Sequence, residues 1–380
     1  MDLDLTDEQK LLADTVNGML EKKYDANARL QLLNSADGWS RELWRQYAEL
    51  GLLGLPFDEQ YGGAGMGVDE LAVVMESFGR ALVLEPYFAT VVLGGSLVAA
   101  AGSPEQKAAI LPGVADGSTL LAFAYAEPRS RWSLTDIAAT ASPSGSASSG
   151  WTVSGEKIAV VGGDSADQLV VTAKTPSGDI GLFFVEAGPD VSAIRRDSYR
   201  MQDGQRGADI LFVAAPATAL GEPADALAAI EGVLDIATAG LCAEAVGAMD
   251  RELWLTVDYL KTRVQFGQPI AVFQALQHRA ANMYVSLEQA RSMALVARLA
   301  LADDDVQARR RMVRAAKAQI DISARHVGQE AIQLHGGIGM TMEYPVGHYA
   351  KRTTVIAKTF ADTDLLLDQV GAEGGLVAAG

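Results

Sequence analysis

Tyr259–Met283, YLKTRVQFGQPIAVFQALQHRAANM, ends one helix and begins another. Leu253, Leu255, Val257 and Leu260 lead into it with mixed apolar spacing, Gly267 frees the backbone to leave the helix, and Pro269 suits the first turn of the next. Around that break stand Arg263 and two amides, Gln274 and Gln277, a set suited to holding a flat polar ligand. A guanidinium fork donates two parallel charge-assisted hydrogen bonds. The plainer alternative is a helical corner whose arginine caps carbonyls.

Outward from this corner, helical periodicity runs over Val233–Leu260, Phe273–Leu301 and Val306–Leu334, lengths expected of an antiparallel bundle, with a last helix over Val355–Val370. Near the other end, Thr6 followed by Asp7, Glu8 and Gln9 starts a helix, and further helical patterns cover Arg41–Leu53, Val68–Leu82, Phe88–Ala101 and Pro104–Ala115. The glycines at 62, 63, 65 and 67 lack a preceding strand and the G-x-G-x-x-G spacing, so they read as a loop. Between the helical regions lie short β-type runs, LLAFAYAE, IAATAS, WTVSGEKIAVVG, QLVVTAK, IGLFFVE and DILFVAA. The tract Ser142–Gly150 reads as a hairpin tip. The expectation is an α+β chain with an N-terminal helical domain over 1–117, a β-barrel-like domain over 118–220 and a four-helix bundle over 221–380.

The 380 residues, 49% of them hydrophobic, suffice for a large core. A net charge of −17 argues against nucleic acid or an anionic membrane as partner, so a polyanionic ligand needs a local basic patch. The lone Cys242 excludes an internal disulfide framework. Four histidines form no metal-binding pattern. The acidic, amphipathic start lacks a signal pattern and no uninterrupted apolar run reaches spanning length, so a cytoplasmic location is expected.

The corner closely resembles the flavin-binding helix junction of acyl-CoA dehydrogenases, and the resemblance covers the whole chain. LGLLGLPFDEQYGGAGMG (Leu50–Gly67), YAEP (Tyr125–Pro128), GEK (Gly155–Lys157) and QLHGGIGMTMEYPVGH (Gln333–His348) occur in that family's order and spacing. CAEAVGAM (Cys242–Met249) is most similar to its bacterial small-subunit, pimeloyl-CoA-dehydrogenase-like branch. The resemblance implies FAD between the β domain and the C-terminal bundle, with part of the site given by a neighbouring subunit. By it, Arg263, Gln265, Phe266, Ile270, Phe273 and Gln274 touch the adenine end and pyrophosphate of FAD. Gln333, Gly336 and Gly337 match its Q-x-x-G-G, and Phe123, Tyr125, Ala126 and Asp362 are further cofactor positions.

Two departures stand out. Where the family continues with G-A-G-S-D, this chain has Arg129-Ser130-Arg131-Trp132, and Arg129 and Arg131 are candidates to neutralise coenzyme A phosphates, with a solvated loop as the alternative. Where the family sets a Trp and a Thr against the flavin ring, this chain has Ala159 and Val161. The catalytic base is also missing from both of its usual seats, which here are Phe360 and Ala237. Of the nearby acids, Asp235, Glu244, Asp250, Asp362 and Asp364, Glu244 is the most suggestive. Its apolar neighbours suit either a base of raised pKa or a structural acid paired to an arginine.

The implied activity is FAD-dependent dehydrogenation of an acyl-CoA thioester to a trans-2-enoyl-CoA, with an electron-transfer flavoprotein as electron acceptor. The empty seats point to a homo- or heterotetramer in which a second acyl-CoA dehydrogenase-like subunit brings the base. The rival readings are a non-catalytic FAD- or acyl-CoA-binding subunit and a flavin monooxygenase on the same fold.

Overall fold

The computed structural model describes residues 4–144, 150–188 and 191–374. In chain order these form α1 (Asp7–Lys23), α2 (Ala26–Leu33), α3 (Arg41–Glu49), α4 (Val68–Ala81), a π-helical stretch Phe88–Gly95 continuing into α5 (Ser96–Ala101), and α6 (Pro104–Ala115). Strands follow: β1 (Leu121–Ala124), β2 (Thr140–Pro143), β3 (Trp151–Val161), β4 (Gln168–Lys174), β5 (Ile180–Glu186), β6 (Ile194–Arg200) and β7 (Arg206–Ala219). The chain then forms α7 (Pro223–Thr262), a small hairpin of β8 (Val264–Gln265) and β9 (Gln268–Pro269), α8 (Gln274–Ala300), α9 (Val306–His335), α10 (Val346–Ile356) and α11 (Thr363–Ala372). The order of helical, β and helical regions is the expected one.

Two compact units result, one of Met1–Gln31, Val68–Val83 and Thr238–Gly380, the other of Leu32–Gly67 and Leu84–Ala237. In the first, α1 begins with a reciprocal capping box between Thr6 and Gln9. Its long helix α9 buries Val313, Ala316, Ile320, Ala324, Val327, Ala331 and Leu334, a stripe at three- and four-residue spacing, against the helices around it. By length and composition alone α7 passes for a membrane span, but more than half of its apolar window is buried. A core helix satisfies the same test.

In the second unit, β4, β2, β3 and β7 pair in sequence and β5 pairs with both β7 and β4, closing a ring; β1 adds to β4 in parallel. Val153, Leu169, Val171, Phe183, Ile210 and Phe212 fill its interior. β6 was not expected from the sequence. Its residues, IRRDSYR, show no apolar alternation, and it pairs with β7 alone among the described residues.

Two boundaries differ from expectation. The helix starting at Arg41 stops at Glu49, because Gly51 turns the chain at φ 74°. The last expected helix is two, α10 and α11, separated by a turn in which Phe360 has φ 66° and Asp362 caps the second. β2 and β3 pair as the hairpin expected around Ser142–Gly150, but its tip at 145–149 lies outside the described residues.

Candidate cofactor and substrate site

At the end of α7 the chain makes a two-residue hairpin turn through Phe266 (φ 54°) and Gly267 (φ 77°). Both central residues are left-handed, as this tight turn requires. Glycine adopts that geometry freely, whereas phenylalanine is strained in it. Phe266 is also 89% exposed, its ring edge-on to Phe273 at 6.0 Å. Strain and exposure together on one aromatic are uncommon.

Arg263 and Gln274 flank this turn, both exposed, and neither side chain has a hydrogen bond or ion pair among the described residues. Ile270 and Phe273 are half-buried beneath them. Gln265 turns its amide back to the Val264 carbonyl at 2.8 Å. Gln277, grouped with Gln274 by its spacing, instead donates to the Ala271 carbonyl at 2.8 Å and serves the turn.

The C-terminal end of α9 is brought to the same place. Tyr259, one turn before Arg263, stacks on His335 at 4.4 Å, and Tyr344 packs on both rings. Gln333 is exposed and without a partner among the described residues. A Cβ built on Gly336 or Gly337 would meet open space, and Gly336 has φ 65°. Arg263, Gln274, Gln333 and the two glycines thus line one end of the bundle, with guanidinium, amide and bare backbone turned outward. This donor set fits a dinucleotide: the guanidinium suits a pyrophosphate, the amides suit the edges of a base, and bare backbone permits close approach.

His335 is the buried last residue of α9. Its Nδ1 lies 2.8 Å from the Ala331 carbonyl and so carries the proton there, and burial holds its pKa below the usual histidine value.

In the β unit, Phe123 is buried and stacks on Tyr125 at 5.2 Å, while the Ala126 carbonyl accepts from the Ile158 N–H at 2.9 Å. The two short motifs YAEP and GEK prove to be one feature. Lys157, fully buried, donates to Glu127 Oε1 at 2.8 Å, Thr172 Oγ1 at 2.9 Å and the Tyr125 carbonyl at 3.1 Å. Glu127 also accepts from the backbone N–H groups of Ala138 and Ala139. Desolvation brings the lysine down to about 8 despite its partner. The pair fixes the strand positions that the resemblance places beside FAD. Ala159, left-handed at φ 50°, donates its N–H to Asp209 Oδ1 at 2.9 Å on the irregular part of β3. Arg129 and Arg131 are exposed and unpartnered among the described residues.

Neither usual seat of the base can take a proton: Ala237 is buried within α7, and Phe360 lies in the turn before α11. Asp362 is engaged as the cap of α11, accepting from the Leu365 N–H at 3.0 Å. Glu244 is buried and bound at both oxygens by the Arg352 fork, Nε at 2.6 Å and Nη2 at 2.7 Å. Of the two roles the sequence left open, this geometry matches the paired structural acid. Sequence reading passed over Glu252, which is fully buried on α7 with both oxygens unpartnered among the described residues, so that desolvation pushes its pKa well up.

Family models for the acyl-CoA dehydrogenase N-terminal and C-terminal domains match residues 6–118 and 227–366. The chain is 31% identical to a probable acyl-CoA dehydrogenase, YngJ of Bacillus subtilis, over 91% of its own length and 92% of that protein. It is 32% identical to the acyl-CoA dehydrogenase IpdE2 of Mycobacterium tuberculosis, covering 91% of each. Among solved structures, the Tcur3481-Tcur3483 steroid ACAD variant is 31% identical with a TM-score of 0.85, covering 96% of this chain and 97% of that one.

Proposed function

This chain belongs to the acyl-CoA dehydrogenase family, and from that premise we propose that it works as one subunit of a heteromeric enzyme. As a family member it is an oxidoreductase of acyl-CoA thioesters with FAD as cofactor. Bound FAD supplies the acceptor for the hydride leaving the β-carbon, and the product is an α,β-unsaturated thioester. In this reading Arg263 neutralises the pyrophosphate, Gln274 and Gln333 hold the adenine end, Gly336 and Gly337 admit the cofactor to the backbone, and Phe266 covers it. The Lys157–Glu127 pair keeps Tyr125 and Ala126 in place. Arg129 and Arg131 offer positive charge to coenzyme A phosphates in a chain of net charge −17. Electrons leave to an electron-transfer flavoprotein.

The observation that carries the heteromer is the pair of residues at the base positions. Removal of an α-proton needs a group that can accept it, and Ala237 and Phe360 cannot. We assign Glu244 to structure, because the Arg352 guanidinium engages both of its oxygens. The second subunit then brings the carboxylate. The two-component, steroid-acting designation of Tcur3481-Tcur3483 supports such a pairing and a bulky acyl group, for which the small Ala159 and Val161 leave room.

The test is to purify the chain alone and co-expressed with its genomic neighbour, count flavins per mass, and titrate anaerobically with a panel of acyl-CoA thioesters. The pair is expected to bleach and turn over, with Glu244→Gln keeping turnover per flavin within about twofold. A self-sufficient homomer of full activity would defeat the heteromer, and flavin that never bleaches in the pair would favour the non-catalytic reading.

A further inference from the structure

Beyond the end of β3, the second unit has a small cavity lined by Trp39, Glu85, Phe88, Gly162, Asp164 and Arg206 among others. Two of these present buried polar atoms of opposite sense: the Trp39 Nε1–H and the Asp164 Oδ1 have no hydrogen-bond partner among the described residues. Trp39 is 4% exposed and the Asp164 side chain 6%. One arginine ties them into the same wall. Arg206 Nε donates to Asp164 Oδ2 at 2.9 Å, and its methylenes lie so close to Gly38 that a Cβ there would come within 2.8 Å.

Leaving a buried donor or acceptor unsatisfied costs about 1–3 kcal/mol, so two such atoms on residues that wall one cavity call for an occupant. The space fixes its size. Room for the centre of a water-sized sphere amounts to about 10 Å³, near the minimum for one oxygen atom and too little for a chain. Polarity fixes its kind. A carbonyl would satisfy the indole and leave the carboxylate bare, an ammonium would do the reverse, and an apolar group would serve neither. An O–H serves both, accepting from the indole and donating to the carboxylate. Glu85 does not compete for this role, since its oxygens accept from the Ser40 N–H at 3.0 Å and the Tyr47 hydroxyl at 3.3 Å.

We propose that the Trp39–Asp164 cavity is a binding site for a single hydroxyl group. The oxygen comes either from an ordered water or from a hydroxyl on the acyl chain, the second source being suggested by Val161, which lines the cavity and occupies one of the positions that the resemblance places against the flavin ring.

A crystal structure of the as-isolated complex, fine enough to resolve waters, tests the site. The expected result is one oxygen within about 3.2 Å of both Trp39 Nε1 and Asp164 Oδ1. Hydroxylated and deoxy acyl-CoA thioesters then separate the sources. A water-filled site gives equal affinities within about twofold and keeps its oxygen, whereas a substrate site favours the hydroxylated thioester by about tenfold or more, a preference lost in Trp39→Phe and Asp164→Asn. A cavity with no oxygen in any of these states, or an oxygen touching one of the two atoms alone, overturns the proposal. The wild-type density decides this even if either variant fails to fold.

Discussion

Two buried groups in the first unit give this protein opposed pH responses. His348 donates from Nε2 to the Met342 carbonyl at 2.9 Å and accepts at Nδ1 from Arg29, 3.3 Å away, while Arg29 Nε holds the Leu82 carbonyl. The ring is therefore neutral, and burial, with Arg29 and Lys351 adding repulsion, keeps its pKa below the ordinary value. A depressed folded-state pKa means that this contribution to stability is present above about pH 6.5 and is lost as pH falls through the folded value. Glu252 is opposite. Its pKa is raised by desolvation, so its contribution is full below about pH 4.3 and is lost as pH rises. His348→Gln keeps both hydrogen bonds without a titrating proton, so the wild type is expected to lose stability relative to it from pH 7.5 to 5.5, by at most about 1.4 kcal/mol per pH unit. Glu252→Gln is expected to exceed the wild type at pH 7 and to converge with it near pH 4. Parallel midpoints across these ranges in urea would defeat both assignments. Neither residue's role was legible in the sequence, because each depends on partners, or their lack, across distant segments. Arg263, Gln274 and Gln333 could be singled out from the sequence, and none of their side chains has a hydrogen bond or ion pair among the described residues. Glu244 was legible only as two alternatives, since Arg352 lies 108 residues away.

At the scale of elements, local pattern located most helices and strands but not how closely they approach. α8 and α9 run within a residue of the expected spans, whereas β6, polar and on the rim, has no signature of its own. The stretch Phe88–Gly95 reads as an ordinary helix in sequence, yet it is π-helical and buried, with Gly94 against Leu121 and Gly95 against Phe57. The crossing of α4 and α7 depends on the same device. A Cβ on Gly79 would lie 2.0 Å from the Glu244 carbonyl oxygen, and one on Gly247 1.9 Å from that of Glu76. Alanine favours a helix over glycine by about 1 kcal/mol, but here the helices would have to separate, and overpacking costs about 1–3 kcal/mol. Gly79→Ala and Gly247→Ala are therefore expected to lower the melting temperature. Gly18→Ala and Gly232→Ala, with nothing within 4 Å of the added carbon, are expected to raise it. If all four shift the same way, close backbone contact is not what selects glycine at the crossing.

For the whole molecule, a chain of net charge −17 does not associate through bulk electrostatics, so any assembly needs a defined apolar face. The first unit presents one at the end of the bundle where Arg263, Gln274 and Gln333 lie. Phe266 is 89% exposed and Met340 73%, with Val264, Val272 and Ile338 also well exposed. Apolar residues grouped this way mark a surface awaiting cover. If the cover is a neighbouring subunit whose FAD reaches Arg263, assembly and flavin retention are one equilibrium. Phe266→Asp is then expected to shift the particle to smaller mass and to release flavin in the same proportion, read together by mass photometry and absorbance. Leu11→Asp, at a comparably exposed apolar position on α1, is expected to change neither. A Phe266→Asp protein that falls apart yet stays fully yellow would show the cofactor to be held within one chain, and the shared-site reading would go with it.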